Sequence, residues 1–81
     1  MMVPLKNSDS FGIVLRQYRQ EKGLTQEQLS ERVDVVRSFI CSLENGKKQP
    51  SFEMVLKLAV ALGVSPGEFV DAVVQRLTNT R

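Results

Sequence analysis

Signals for helix starts and helix ends alternate along this chain at short intervals. Serine and threonine are favoured at the N-cap of a helix, and glycine is favoured just after a helix ends. No segment sustains the alternation of apolar and polar residues that is typical of a half-buried strand. Candidate caps and stops follow one another in the order Gly23, Thr25, Gly46, Ser51, Gly63 and Ser65. The pattern therefore predicts an all-α chain of five helices.

The first three predicted helices are bounded by caps and stops, and helix 2 is short. Helix 1 is expected from about residue 9 to about residue 22, with Ser8 or Asp9 as its cap. Helix 2 begins at a capping box formed by Thr25 and Gln28, and Val33 closes its apolar face. Helix 3 is expected from about residue 36 to about residue 45.

The last two predicted helices carry most of the remaining apolar residues. Helix 4 follows Pro50 and Ser51 and ends before Gly63. Helix 5 is expected from about residue 66 to about residue 78, where Ser65, Pro66 and Glu68 read as an N-cap, an N1 proline and a capping box.

Length and composition limit the class of protein. With 81 residues, 42% hydrophobic and 25% charged, the chain fits one domain over residues 1–81, with a folded core from about 8 to about 78. Cys41 is the only cysteine and there is no histidine, which excludes an internal disulfide and a four-cysteine zinc site. We expect no cofactor, no metal site and no enzymatic activity, because the motifs that carry such chemistry are missing.

Charge and hydropathy bear on partners and location. Eleven Lys and Arg against nine Asp and Glu give a net charge of +2, a weak indication of a polyanionic partner. No run approaches the roughly 18 apolar residues of a membrane span, and the N-terminus lacks the apolar core of a secretory signal. We expect a cytoplasmic protein without a membrane partner.

Helices 2 and 3 form the candidate functional unit. They are joined by a tight turn around Asp34, and the second of them is amphipathic. This arrangement is what a DNA-binding helix-turn-helix requires, but helix pairs of this kind also occur in bundles that never contact DNA. The geometry alone leaves both readings open.

The residues from Gly23 to Phe69 resemble the Cro and lambda-repressor type of helix-turn-helix domain. The resemblance is carried by separated features, namely Leu24-Thr25-Gln26, Leu29, Ile40, the turn Leu43-Glu44-Asn45-Gly46, Pro50-Ser51 and Ala61-Leu62-Gly63-Val64. It implies a five-helix lambda-repressor-like fold and binding to double-stranded DNA. Three positions depart from the family pattern: Ser30 replaces a common alanine, Asp34 a glycine, and Val36 a serine or threonine cap. Asp tolerates a left-handed turn better than most residues, but valine cannot cap helix 3 with its side chain.

The polar side of helix 3 is expected to enter a major groove. In a helix, Arg37, Ser38, Cys41, Ser42 and Asn45 fall on one side, opposite the apolar residues. The family reads bases with the first residues of this helix, which implies base contacts for Val36, Arg37, Ser38 and Ser42. We expect Arg37 to read a guanine through its forked donors.

Contacts with the phosphate backbone are expected from two places. Gln26 adds an amide donor at the N-terminus of helix 2, where exposed N–H groups attract phosphate. The loop after helix 3 holds Lys47 and Lys48 without an acid. By resemblance this loop, including Asn45, follows the backbone.

The resemblance also implies an ion pair between Arg19 and Glu44, which would tie helix 1 to the end of helix 3. For helix 5, the apolar residues Val70, Val74 and Leu77 lie at i, i+4 and i+7, and we expect them to form a two-fold dimer interface. The alternative is that this stripe packs on helix 1 or on Met1 to Leu5.

These inferences predict a homodimeric transcriptional regulator on a palindromic operator, similar to phage repressors or restriction-modification controllers. The alternative is an antitoxin-type component whose main partner is a protein toxin. No small-molecule effector is expected, because one small core leaves little volume for a pocket. The operator, the sign of regulation and any redox role of Cys41 are not encoded in a recognisable pattern.

Overall fold

The computed structural model describes residues 7–78, and within this range the chain is helical with no strand. The helices are α1 (Asn7–Glu21), α2 (Gln26–Val33), α3 (Arg37–Glu44), α4 (Phe52–Leu62) and α5 (Pro66–Thr78). The predicted all-α, five-helix fold is confirmed.

The predicted caps explain where most of these helices begin. Thr25 Oγ1 accepts a hydrogen bond from Gln28 N at 3.0 Å, and Gln28 Oε1 accepts one from Thr25 N at 2.9 Å, so the capping box of α2 is complete. Ser51 Oγ accepts from Met54 N at 3.1 Å at the start of α4. At the end of α4, Gly63 adopts the left-handed conformation that glycine tolerates (φ 74°).

One predicted helix start and one predicted capping box need correction. Helix α1 includes Asn7, so Ser8 and Asp9 lie inside its first turn instead of capping it. An acidic residue in the first turn favours this arrangement, because its charge opposes the positive end of the helix dipole. At α5, Ser65 Oγ accepts from Glu68 N at 3.1 Å, but Glu68 Oε2 accepts from the Tyr18 hydroxyl at 3.2 Å. The predicted capping box of α5 is therefore half formed, because Tyr18 supplies the donor for the Glu68 carboxylate.

The core lies where α1 contacts α3 and α5, and where α2 and α4 close the remaining sides. Phe69 of α5 is fully buried, and its ring stands 5.4 Å from that of Phe11 and 5.7 Å from that of Tyr18. Such tilted aromatic pairs contribute about 0.5 to 1.5 kcal/mol beyond the area that they bury. The buried apolar residues are Phe11, Val14, Leu15, Leu29, Val33, Ile40, Leu43, Leu58, Ala59, Leu62 and Phe69.

Helix α1 crosses the C-terminal end of α3 at very short range. A Cβ atom placed on Gly12 would lie 2.5 Å from the backbone oxygens of both Leu43 and Glu44. Only a residue without a side chain permits this approach. The contact fixes the end of α3 against α1.

Some apolar residues remain on the surface. Phe52 and Val60 of α4 are 75% and 73% exposed, and Val70 and Val74 of α5 are 43% and 46% exposed. Within residues 7–78 no single helix is long and apolar enough to cross a membrane; α4 and α5 pass such a test only as a pair, and they are bent by 110°.

Candidate nucleic-acid interface

The turn between α2 and α3 accommodates Asp34, and α2 accommodates Ser30 next to it. Asp34 adopts a left-handed conformation (φ 61°, ψ 49°), and its N–H donates to Ser30 O. The Val35 N–H donates to the same oxygen at 3.0 Å. Ser30 itself is buried, with its hydroxyl donating to Glu27 O at 2.7 Å. The tight turn of a helix-turn-helix is therefore formed with Asp34 in place of glycine.

Helix α3 has one buried face and one open face. Ile40 and Leu43 are fully buried, whereas Arg37 and Ser38 are exposed and Ser42 is half-buried. Val36 is the N-cap, is 69% exposed and makes no side-chain capping hydrogen bond. At this end of the helix the side chains of Val36, Arg37 and Ser38 are thus exposed, whereas Phe39 packs against the core.

At its other end, α3 is anchored by the buried carboxylate of Glu44. Arg19 donates to it from Nε at 2.6 Å and from Nη2 at 3.1 Å. Arg16 Nε and Gln26 Nε2 donate to Oε1 at 3.3 and 3.1 Å. The expected ion pair between Arg19 and Glu44 is present, and it belongs to a larger cluster that joins α1, α2 and α3.

Opposing effects act on the pKa of Glu44. Burial alone would raise it, but hydrogen bonds from Arg19 and Gln26, the charge of Arg19 and the hydrogen bond from Arg16 outweigh that effect. The pKa of Glu44 is therefore lowered, and the side chain is an ionised carboxylate at neutral pH.

The geometry gives Gln26 a different environment from the one expected for a phosphate contact. Its Nε2 donates to Glu44, and its Oε1 accepts from Arg37 Nη1 at 3.0 Å. Both ends of the amide are thus engaged inside the protein. Gln26 links the buried carboxylate to Arg37, the one cation of α3.

The loop after α3 is folded back onto the helix. Asn45 is the C-cap, and its Nδ2 donates to Cys41 Sγ at 3.4 Å. The Lys47 N–H donates to Ser42 O at 2.9 Å, and the side chains of Lys47 and Lys48 are exposed. Both lysines are therefore exposed in a loop whose backbone is held against the C-terminal end of α3.

On α5, Val70 and Val74 are exposed and Leu77 is half-buried. They border a groove that is otherwise lined by Phe11, Gln49, Pro50, Val55 and Val73. Helix 1 thus lines the groove through Phe11 without covering the two valines. The alternative cover, Met1 to Leu5, lies outside the described residues.

Sequence reasoning did not identify Arg16 as a second cation on Glu44. Arg16 and Arg19 lie three residues apart and so share one face of α1. That spacing was a usable signal, but it could not show that α1 crosses α3 at Glu44. No group of three or more His, Cys, Asp or Glu that could hold a metal ion occurs in the part of the chain that the structure describes.

Comparison with known proteins gives the class of this chain. A helix-turn-helix family model matches residues 15–69, more than half of the sequence, and covers α2, the turn and α3 entirely. The chain belongs to the Cro/C1-type helix-turn-helix family, so the resemblance noted in its sequence is confirmed. It is a helix-turn-helix transcriptional regulator, and the members of its family are DNA-binding regulators and not enzymes.

Individual relatives agree with this class. An HTH-type transcriptional regulator of Methanothermobacter thermautotrophicus is 48% identical over 50 residues, which is 62% of this chain and 72% of that protein. Control protein C.BamHI of Bacillus amyloliquefaciens is 36% identical over 62 residues, 75% of this chain and 76% of that protein. The crystal structure of the restriction-modification controller protein C.AhdI from Aeromonas hydrophila superposes with a TM-score of 0.73 at 39% identity, covering 76% of this chain and 94% of that one.

Proposed function

We propose that this chain binds double-stranded DNA in a sequence-specific manner as a homodimer on a palindromic operator, with α3 in the major groove. The observation that carries the proposal is the asymmetry of α3. Its C-terminal end is held by the buried Glu44, while Val36, Arg37 and Ser38 at its N-terminal end are exposed. A firmly held helix with an open N-terminal half suits direct reading of bases.

The exposed residues of α3 divide into roles by their chemistry. Val36, Arg37, Ser38 and Ser42 are the residues that we assign to base edges. A guanidinium is suited to the paired O6 and N7 acceptors of guanine, so Arg37 is assigned to a guanine. Valine offers only apolar contact, which suits a thymine methyl group.

The exposed cations after α3 suit the phosphate backbone. Lys47 and Lys48 offer ammonium groups with no acid beside them in the loop, and Asn45 offers an amide at the C-cap. Contacts of this kind strengthen binding to all sequences alike and fix the orientation of the protein. Gln26 lies at the start of α2, where we expect a phosphate contact. Its amide oxygen, however, accepts a hydrogen bond from Arg37, which we assign to a base.

The apolar residues of α5 support the dimeric part of the proposal. Val70 and Val74 are exposed together on one helix beside an apolar groove, and a two-fold contact would bury them against their own copies. A dimer would place two copies of α3 about 34 Å apart, one turn of DNA. The relatives named as control and controller proteins support control of a promoter as the narrower role.

Selection of bound duplexes from a random pool tests sequence-specific binding. We expect the recovered sequences to share an inverted repeat whose half-sites lie about one helical turn apart. The Arg37→Ala variant, selected in parallel, should recover sequences that have lost one guanine from each half-site. A pool that shows no shared sequence after repeated rounds would contradict the proposal.

Sedimentation at micromolar concentration tests the dimer separately. Wild type should sediment as a dimer, and Val74→Asp should sediment as a monomer, because a carboxylate would be buried in the interface. Val60→Asp is the matched control, since Val60 is also exposed but lies on α4. A monomeric wild type that binds one half-site as tightly as the full palindrome would contradict the dimer.

A further inference from the structure

We propose that α4 carries a second self-contact, in which the exposed faces of α4 from two copies of this chain pack antiparallel about a two-fold axis at Leu56. This contact is separate from the one proposed for α5, and it would join two-fold dimers to each other. It goes beyond the proposed function, because it does not depend on how α3 reads bases.

The outward face of α4 carries an apolar stripe. Phe52 and Val60 are 75% and 73% exposed, and Leu56 between them is half-buried. The three residues are four positions apart, so they follow one side of the helix and span about 12 Å. Single exposed apolar residues are common on protein surfaces, but a row of them on one helix face indicates a contact surface.

The two ends of the stripe are complementary in shape. At one end Val60 borders an open groove whose apolar lining also includes Val33, Leu56 and Ala61. At the other end the ring of Phe52 is exposed at the first residue of α4. An antiparallel two-fold pairing brings each Phe52 to the groove of the partner copy, so two identical chains fill both grooves at once. A parallel pairing would set Phe52 beside Phe52 and leave both grooves empty.

The charged residues beside the stripe fit the same antiparallel pairing. Glu53 and Lys57 lie on one flank of it, with Lys57 Nζ 3.7 Å from Glu53 Oε2 and both side chains more than half exposed. With the axis at Leu56, each Glu53 lies about 3 Å along the helix from the partner's Lys57, on the same side of the contact. The four charges then alternate in sign, and the surface is complementary to itself in charge as well as in shape.

The size of the surface limits the strength of the contact. Stable interfaces bury about 1,200 to 2,000 Å² in total, and one face of a helix of 11 residues offers less than this. We therefore expect the contact to form toward millimolar concentration, or among dimers that lie side by side on one duplex. At micromolar concentration, where the α5 dimer is measured, Val60→Asp should remain without effect.

The test reverses charges on one copy and on the other. Glu53→Lys makes the flank positive throughout and Lys57→Glu makes it negative throughout, so each variant repels its own copies but attracts the other variant. Sedimentation equilibrium at low salt, from micromolar to millimolar concentration, gives the association constant of each variant and of their equal mixture. Glu21→Lys, at an exposed glutamate of α1, makes the same change in net charge on another helix and serves as the control.

We expect wild type to associate beyond the α5 dimer toward millimolar concentration. Glu53→Lys and Lys57→Glu should each lower that association constant about fivefold or more, because two attractive pairs become repulsive. The equal mixture should regain the wild-type constant, a result that a folding defect in either variant cannot produce, and Glu21→Lys should match wild type.

Two results would overturn the inference: a wild type that shows no further association at millimolar concentration, or a mixture that associates no better than its separate variants. The α5 contact is judged separately in the micromolar range. If wild type is a monomer there, the α5 dimer fails, and the same charge rule is then tested on the monomer–dimer step.

Discussion

The two ends of α3 are built in opposite ways. At the C-terminal end, a buried carboxylate accepts hydrogen bonds from Arg16, Arg19 and Gln26, and α1 approaches so closely that only Gly12 fits. At the N-terminal end, Val36 is exposed and makes no side-chain cap. Stability and recognition are therefore assigned to opposite ends of a helix of eight residues. One end fixes where the helix lies, and the other is left free to meet a ligand.

Removal of the Glu44 side chain should lower the free energy of unfolding the most, because it removes the anchor at the C-terminal end of α3. Glu44→Ala leaves Arg19, which is largely buried, without its partner, and breaking a buried pair in this way costs about 3 to 5 kcal/mol. Urea denaturation measures the free energy of unfolding. Glu31→Ala is the matched control, because Glu31 is an exposed glutamate of α2. An unfolding free energy that Glu44→Ala leaves unchanged would mean that the carboxylate does not anchor α3.

Substitution of Gly12 should have the next largest effect. Gly12→Ala forces a methyl group against the carbonyl oxygens of Leu43 and Glu44, and overpacking of this kind costs about 1 to 3 kcal/mol. Gly67→Ala in α5 is the control, because its Cβ would meet no atom within 4 Å. Alanine is the better helix former, so that control should be neutral or stabilising. Equal melting temperatures for the two variants would contradict the close contact between α1 and α3.

Acid should lower the stability that Glu44 contributes at the C-terminal end of α3. The folded-state pKa of Glu44 is lowered from its ordinary value of 4.5, so the carboxylate contributes stability that is fully present above that value. This contribution is lost as the pH falls toward the lowered pKa of the folded state. The loss should be smaller than that in Glu44→Ala, because a neutral carboxyl group still accepts hydrogen bonds. Glu44→Gln should show a flatter dependence of unfolding free energy on pH over this range, and an identical dependence would assign the effect to other groups.

A cap added at the open end of α3 should have the smallest effect. Val36 already has the extended backbone of an N-cap (φ −77°, ψ 152°), so Val36→Thr supplies the missing hydroxyl in nearly the same volume. An added cap of this kind contributes about 1 kcal/mol. Thr25→Val makes the reverse change at α2, where the capping box is complete, and should cost a similar amount. A lowered melting temperature for Val36→Thr would mean that the first turn of α3 cannot use a side-chain cap.

The sequence predicted the parts of the fold that depend on local chemistry. The capping box at Thr25, the cap at Ser51 and the left-handed glycine at position 63 follow from residue types and spacing. The pairing of Arg19 with Glu44 came from the family resemblance, because the two residues are 25 positions apart. Local patterns do not report contacts across such a distance.

The parts that the sequence did not predict depend on how helices cross. Glu68 has the spacing of a capping box, but the Tyr18 hydroxyl is brought to it by the packing of α1 against α5. Gln26 has the position of a phosphate contact, but its amide is drawn between Glu44 and Arg37. In both cases a polar side chain takes a partner from another part of the chain in preference to its local role.

We propose that DNA contacts the open N-terminal half of α3, and an NMR titration measures that contact residue by residue. Isotope-labelled protein is titrated with the duplex recovered by selection, and the backbone amide shifts are followed residue by residue. We predict the largest changes at residues 36–38, 41–42 and 45–48, with small changes at Phe52 and Val60, which lie on the exposed face of α4. Largest changes on α4, with residues 36–38 unaffected, would contradict the claim.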